Sequence, residues 1–310
     1  MSTAVGGIRA VDIADLSGDA DTFFQDYGHE PVVIRGLHSP IAMESTASVE
    51  GVARLFSGLT IWAVDRETQA HVEVPSADFF AGFAAGDTRY NVVDHPVEDS
   101  PFGESFRIPW FLDANWLSDE PRLGEKCLVA TAAGSYTPLH VDSYGFSGWM
   151  YLMTGCKEWQ FFPPRCRGAL YDPLFKDYYD PRGAEYAGAL VSHADRFPLA
   201  SLVQREALSY TLRPGELVLF PGGWMHRVYT PESSLGVGGN VLNAHLAPSA
   251  MHWWLVDSSM SYAGSFNLAG FMRDRLERVP TDSPERPALK RALALRNAWV
   301  SRMHETGLEL

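Results

Sequence analysis

Three residues in this chain have the types and spacing for metal chemistry: His140 and Asp142, in His140-Val141-Asp142, and His226, which follows Pro221-Gly222-Gly223-Trp224-Met225. Two imidazoles and one carboxylate on one face make the triad that holds non-haem Fe(II) and leaves the remaining coordination positions open. The spacing has a physical reason. In an extended strand, residues i and i+2 point to the same side. His140 and Asp142 can therefore grip one ion while Val141 turns away into packing. His226 must then arrive on a second strand folded alongside. A bare His-x-Asp triplet is common, and its bland reading is a histidine beside a turn aspartate. The surrounding elements decide between the two.

Those elements read as short antiparallel strands. Lys126-Cys127-Leu128-Val129-Ala130-Thr131 is an apolar strand, and Gly134-Ser135-Tyr136-Thr137-Pro138 is a bend feeding the His140 strand. Trp149-Met150-Tyr151-Leu152-Met153 is a buried run. Thr154-Gly155 then reads as a turn, with Glu158-Trp159-Gln160-Phe161-Phe162 as the return strand, stopped by Pro163-Pro164. Arg213-Pro214-Gly215-Glu216 is a turn before the strand Leu217-Val218-Leu219-Phe220. Pro221-Gly222-Gly223 is another, before a strand from Trp224 to Tyr229. His245 and His252 are rival ligands without this strand-and-turn context.

Thr137-Pro138-Leu139-His140-Val141-Asp142, Gly155-Cys156-Lys157-Glu158-Trp159, Phe162-Pro163-Pro164 and Pro221-Gly222-Gly223-Trp224-Met225-His226 together resemble the Jumonji-C, or cupin-like, family of Fe(II)/2-oxoglutarate oxygenases, nearest to its hydroxylase branch. Pro31-Val32-Val33-Ile34-Arg35-Gly36-Leu37 is similar to the family's entry segment. Tyr90-Asn91-Val92-Val93-Asp94 and Ile108-Pro109-Trp110-Phe111 resemble its pre-core strand and return, so the likeness covers roughly residues 8 to 255.

The resemblance implies a mainly β fold. Its core is a double-stranded β-helix of the cupin or jelly-roll kind over residues 121–247, wrapped by an N-terminal α/β segment over 1–120 and followed by C-terminal helices over 248–310. It implies Fe(II) on His140, Asp142 and His226, with 2-oxoglutarate as co-substrate and O2 as oxidant, giving succinate, CO2 and an oxidised substrate. Hydroxylation of an amino-acid side chain, in a protein, a peptide or the free amino acid, or of a natural-product intermediate, is the expected outcome. Lys157 matches the co-substrate lysine, Thr137 a hydroxyl donor to the same carboxylate, and Asn240 an amide near the metal-bound end. Each has a plainer reading. Lys157 could snorkel to solvent from a strand edge, Thr137 could close a local turn, and Asn240 could be a turn amide beside Gly238-Gly239.

Two positions depart from the pattern. Met150 stands where close relatives carry an asparagine, and Gly238 where they carry a threonine. Tyr136, Tyr151 or Ser147 could supply the missing polarity. The departures keep two other readings open: a metal-retaining cupin-like binding or scaffold protein without turnover, and a metal cupin enzyme independent of 2-oxoglutarate. Tyr144, Asn91 and Asp94 are candidates to border a substrate pocket. Trp149, Trp224 and Phe146 read as core or pocket wall.

The 310 residues, 46% of them hydrophobic, suffice for one sizeable core. No stretch approaches membrane-spanning length, and the acidic N-terminus lacks a secretory signal core. A net charge of −13 opposes nucleic-acid phosphates, so neither nucleic acid nor membrane is an expected partner. Cys127, Cys156 and Cys166 lack metal-type pairing and read as reduced thiols of a cytoplasmic protein. Ala20 to Tyr27 and Ser76 to Ala85 read as helices, the second with Ser76 as cap. Asp172 to Arg196 reads as an insertion, either a lid or a surface excursion. Residues 249 to 273 and 283 to 305 read as two helices. Leu289, Ala292, Leu293, Leu295, Trp299 and Met303 form an apolar stripe on the last, suited to a homodimer interface or to the chain's own core.

Overall fold

The computed structural model describes residues 6–16, 18–37, 48–98, 100–120, 123–124, 126–172, 177–180, 196–257 and 266–305. The strands are β1 (Gly6–Gly7), β2 (Arg9–Asp12), β3 (Val32–Arg35), β4 (Thr60–Asp65), β5 (His71–Pro75), β6 (Tyr90–Pro96) and β7 (Cys127–Thr131). They continue as β8 (Ser135–His140), β9 (Ser147–Phe162), β10 (Tyr171–Asp172), β11 (Asp177–Tyr178), β12 (Leu208–Leu212), β13 (Leu217–Phe220) and β14 (Met225–Val241).

Two long strands organise the fold. The first part of β9 lies between β13 and the last part of β14, in a sheet that continues outward to β3 and β2 on one side and to β7, β6, β4 and β5 on the other. The last part of β9 lies between β12 and the first part of β14, which in turn pairs with β8. Both strands thus pass from one sheet into the other, and the two sheets enclose a barrel, the double-stranded β-helix expected from the sequence.

The passage corrects one reading. Thr154-Gly155 does not reverse the chain: β9 runs unbroken through it. Gly155 takes φ +78°, and a Cβ there would strike the Ser233 carbonyl, so the glycine lets the strand kink where it meets β14. The inward set changes across the kink. Met150 and Leu152 face the barrel interior before it, and Trp159 and Phe161 after it, together with Val33, Val218, Phe220, Trp224 and Val228.

A larger core covers the outer face of the first sheet. Phe23 and Phe24 of the helix Ala20–Tyr27 are buried there, and Phe23 stacks on Phe111 at 4.4 Å between centroids. Asp19 caps this helix by accepting the Thr22 N–H at 2.8 Å. The helix Ser76–Ala84 forms as expected, but Ser76 does not cap it; its hydroxyl donates to the Phe56 carbonyl at 2.6 Å. Trp110–Leu112 is a 3-10 turn and not a return strand.

The C-terminal region also differs. Residues 249 to 273 are not one helix: Ala247–Asp257 is a helix, Leu268–Arg278 is another, and the stretch between lies largely outside the described residues. Glu285–Glu305 follows, with Leu289 and Ala292 buried while Leu295 and Trp299 stay 42% and 36% exposed. The expected stripe is therefore divided between core and surface. Most of the Asp172 to Arg196 insertion lies outside the described residues. No described helix is long and apolar enough to cross a membrane.

Candidate metal centre and its cavity

The barrel architecture brings the sequence-separated ligands together directly. His140 ends β8 and His226 is the second residue of β14, and the two are cross-strand partners. Asp142 lies just past the strand in extended backbone, its φ −67° and ψ 149° continuing the direction set by β8. Nε2 of His140 and Nε2 of His226 are each 3.5 Å from Asp142 Oδ1, and the donor atoms of all three residues lie within 4.8 Å of one another.

Both rings are oriented by the chain itself. His140 Nδ1 lies 2.8 Å from the Pro138 carbonyl, and His226 Nδ1 lies 3.2 Å from the Trp224 carbonyl. A carbonyl only accepts, so each Nδ1 carries the proton and each Nε2 presents a lone pair to the shared space. His226 is 2% exposed and boxed by Phe220 at 4.6 Å and by Trp159 and Phe161 at 5.7 Å. Burial, aided by the neighbouring His140, pushes its pKa down to about 4, so it stays neutral. His140 moves the other way. Burial opposes its charge, but the hydrogen bond and charge of Asp142 prevail and hold its pKa above the ordinary value. Burial likewise opposes the Asp142 charge and is outweighed by the two histidines, so its pKa falls and it remains a carboxylate. Neutral imidazoles and an ionised carboxylate are the forms that bind a divalent ion. The donor set fits one.

The three side chains line a cavity of about 520 Å³ in the barrel interior. Lys157, 3% exposed, lines it too. Its ammonium donates to Thr131 Oγ1 at 2.7 Å and Thr230 Oγ1 at 3.3 Å and, among the described residues, meets no carboxylate. Burial lowers its pKa to about 7. A buried ammonium held only by hydroxyls has room for an anion. It does not snorkel to solvent.

Thr137 and Asn240 also line the cavity. Asn240 Nδ2 donates to the Leu123 carbonyl at 2.8 Å, and its own carbonyl accepts from Asn115 at 2.9 Å, so it sits within β14 as a wall residue and not in a turn. Asp94, Tyr144 and Trp149 line the cavity as expected; Asn91 does not, its side chain accepting from Ala132 N–H and Ser135 Oγ. Tyr144 holds φ +62°, which is rare for a residue with a side chain.

The two departures prove to be neighbours. Met150 and Gly238 are cross-strand partners in the cavity wall, and a Cβ on Gly236 would come within 3.0 Å of Met150 Cε. The methionine thus lies over the space the glycines leave. None of the three expected substitutes fills it. Tyr136 hydrogen-bonds Asp180, Tyr151 packs in the outer core, and Ser147 accepts from the Gly222 N–H.

Sequence reading missed Trp159 and Phe220 against His226, the threonines that hold Lys157, and Asp180. Once the kink at Gly155 is known, alternation puts Trp159 on the Lys157 side. Nothing in the local sequence marks Asp180.

A model of the cupin-like domain matches residues 63–259, more than half of the chain. JmjC domain-containing histone demethylation protein 1 of Debaryomyces hansenii is 29% identical over 171 residues, 52% of this chain and 32% of that protein. The 2-oxoglutarate and iron-dependent oxygenase JMJD4 of Mus musculus is 28% identical over 154 residues, 48% of this chain and 34% of that protein. The arginine-specific demethylase JMJ20 of Arabidopsis thaliana is 30% identical over 113 residues, 36% of this chain and 22% of that protein. The chain thus spans only about a third, or less, of the length of these relatives. By the match over 63–259, joined to the double-stranded β-helix and its His-Asp-His constellation, the chain belongs to the cupin-like domain family.

Proposed function

We propose that the protein is an Fe(II)- and 2-oxoglutarate-dependent oxygenase that hydroxylates an amino-acid side chain, in a protein, a peptide or the free amino acid, or a natural-product intermediate. One observation carries this reading. The same cavity holds a convergent His140, Asp142, His226 set and a buried lysine that has hydroxyl partners but, among the described residues, no counter-ion. A divalent metal suits the first and a dicarboxylate co-substrate reconciles both. The names of the mouse and human relatives as 2-oxoglutarate and iron-dependent oxygenases agree with it.

His140, Asp142 and His226 would hold the metal, their donor atoms converging on one side of the cavity. When bound, Fe(II) and 2-oxoglutarate supply the oxidising chemistry, with O2 consumed and succinate and CO2 released. The protein's own work is positional. Lys157 would neutralise a carboxylate of the co-substrate, and Thr137, in the same cavity wall, would offer it a hydroxyl. Asn240 fixes its stretch of the cavity wall through the Leu123 carbonyl and would border the co-substrate there. Phe161, Phe220 and Trp159 exclude water behind His226 and keep its ring neutral. Asp94 and Tyr144 border the space left for substrate. The net charge of −13 fits a small molecule or peptide better than a nucleic acid. Three buried free thiols fit the reducing cytoplasm, and the exposed Leu295 and Trp299 fit pairing of C-terminal helices between two copies.

The test is turnover. Fe(II)-loaded protein is incubated with 2-oxoglutarate, O2 and panels of amino acids, peptides and metabolites. A product gaining one oxygen atom, with matching succinate, is the expected result. Demethylated product without a retained hydroxyl would replace hydroxylase by demethylase. One observation favours a second reading, a metal-retaining binding protein without turnover: Met150 against Gly238 leaves that wall of the cavity without side-chain polarity. Metal uptake with no co-substrate binding would favour it.

A further inference from the structure

The metal reading leaves one buried polar cluster unused. Asp180, 6% exposed, lies against the outer face of the sheet that carries both histidines. Its carboxylate accepts from the Tyr136 hydroxyl at 2.8 Å, the Leu139 N–H at 2.7 Å and Arg227 Nη1 at 2.8 Å. Leu139 immediately precedes His140, and Arg227 immediately follows His226. One carboxylate therefore grips the residue beside each histidine.

The strand pairing explains why a carboxylate is needed there. His226 faces His140, yet Val228 faces Thr137, so Pro138 and Leu139 together oppose Arg227. This is a β-bulge, which re-aims side chains and takes an extra residue out of the regular ladder. Pro138 has no N–H to give. The Leu139 N–H turns to Asp180. The arginine that crosses from β14 is held on its other edge by Gln160 of β9, to whose Oε1 both Nε, at 2.7 Å, and Nη2 donate. The cluster thus ties together all three strands behind the metal face, and Asp180, two residues past β11, lies within the Asp172 to Arg196 insertion.

We propose that Asp180, through Leu139 and Arg227, is a positioning residue that holds the β8 bulge in the register that aims His140 and His226 at one ion. The inference rests on the metal reading above. It assigns to the insertion a structural hold on the metal centre: Asp180 sets the geometry of ligands it never touches.

The test uses Co(II) alone, with no co-substrate, on the full chain. Affinity is read by calorimetry and ligand geometry by the visible d–d bands. Asp180→Asn keeps the size but turns one accepting oxygen into an amide N–H2, which cannot serve Leu139, Tyr136 and Arg227 together. It should weaken Co(II) binding about 10- to 100-fold and shift the bands, as loss of a supporting contact behind metal ligands does. Tyr136→Phe removes one bond and keeps the other two, and should shift the bands with a loss of about threefold. Wild-type affinity and bands in Asp180→Asn would overturn the proposal while leaving the metal site standing. Should Asp180→Asn lose its far-ultraviolet circular dichroism, Tyr136→Phe decides: shifted bands support the proposal and unchanged bands overturn it. Absence of Co(II) binding by the wild type would overturn the metal reading itself and this inference with it.

Discussion

Replacing Lys157 by Met should stabilise the ligand-free protein while removing co-substrate binding. The ammonium is 3% exposed and, among the described residues, meets only hydroxyls, and burial brings its pKa from 10.5 to about 7. At about 1.4 kcal/mol per unit, the charged form is disfavoured in the folded protein by ~5 kcal/mol. The unfolded chain keeps this proton up to the ordinary lysine range, and the folded chain releases it near neutrality. Between those limits the unfolded state binds more protons, so stability rises with pH. The penalty removed by Lys157→Met is then ~5 kcal/mol at pH 6, ~4 kcal/mol at pH 7 and ~2 kcal/mol at pH 9. The hydroxyls left behind still satisfy one another, since Thr131 Oγ1 lies 3.2 Å from Thr230 Oγ1 and 3.0 Å from Ser234 Oγ. Urea unfolding of both proteins in chelator, from pH 6 to 9, is the assay. The variant should be the more stable, by a margin that shrinks as pH rises. A less stable variant, or a margin independent of pH, would refute the claim that this lysine is a buried charge awaiting its anion.

Three further outcomes follow from the same geometry. Gly148→Ala places a Cβ 2.5 Å from Asp142 Oδ2 and against the Phe220 ring, so divalent affinity by calorimetry should fall at least about tenfold although no ligand is changed; unchanged affinity would show that Asp142 has room to move. Divalent binding should weaken as pH falls through the raised His140 pKa, about tenfold per unit, because one proton on His140 must leave while His226 is already neutral; a hundredfold slope would mean that both histidines titrate. Phe161→Ala, emptying a fully buried position beside His226, should cost about 3–5 kcal/mol in urea unfolding and leave the His140 side of the site in place.

Much of the site was legible because strand geometry is local. The i, i+2 rule placed His140 and Asp142 together, and the turn at Pro221-Gly222-Gly223 announced the strand that delivers His226. Lys157 was legible through the resemblance carried by Gly155-Cys156-Lys157-Glu158-Trp159. What was not legible is what depends on distant partners. Gly155 reads as a turn by its residue type, and only the approach of Ser233 makes it a kink within one strand. Ser76 looks like a cap until the Phe56 carbonyl is brought to it. Met150 and Gly238 looked like two separate losses, and the pairing of β9 with β14 makes them one repacked wall. Asp180 carries no local signal, because its meaning comes from a bulge in β8 and an arginine in β14.

The central claim is tested most directly by anaerobic titration of the Fe(II)-loaded protein with 2-oxoglutarate, followed by visible absorbance, beside a His140→Ala control. The account predicts a charge-transfer band that grows to saturation in the wild type and is absent in the control. Iron bound by the wild type with no band at any 2-oxoglutarate concentration would contradict it.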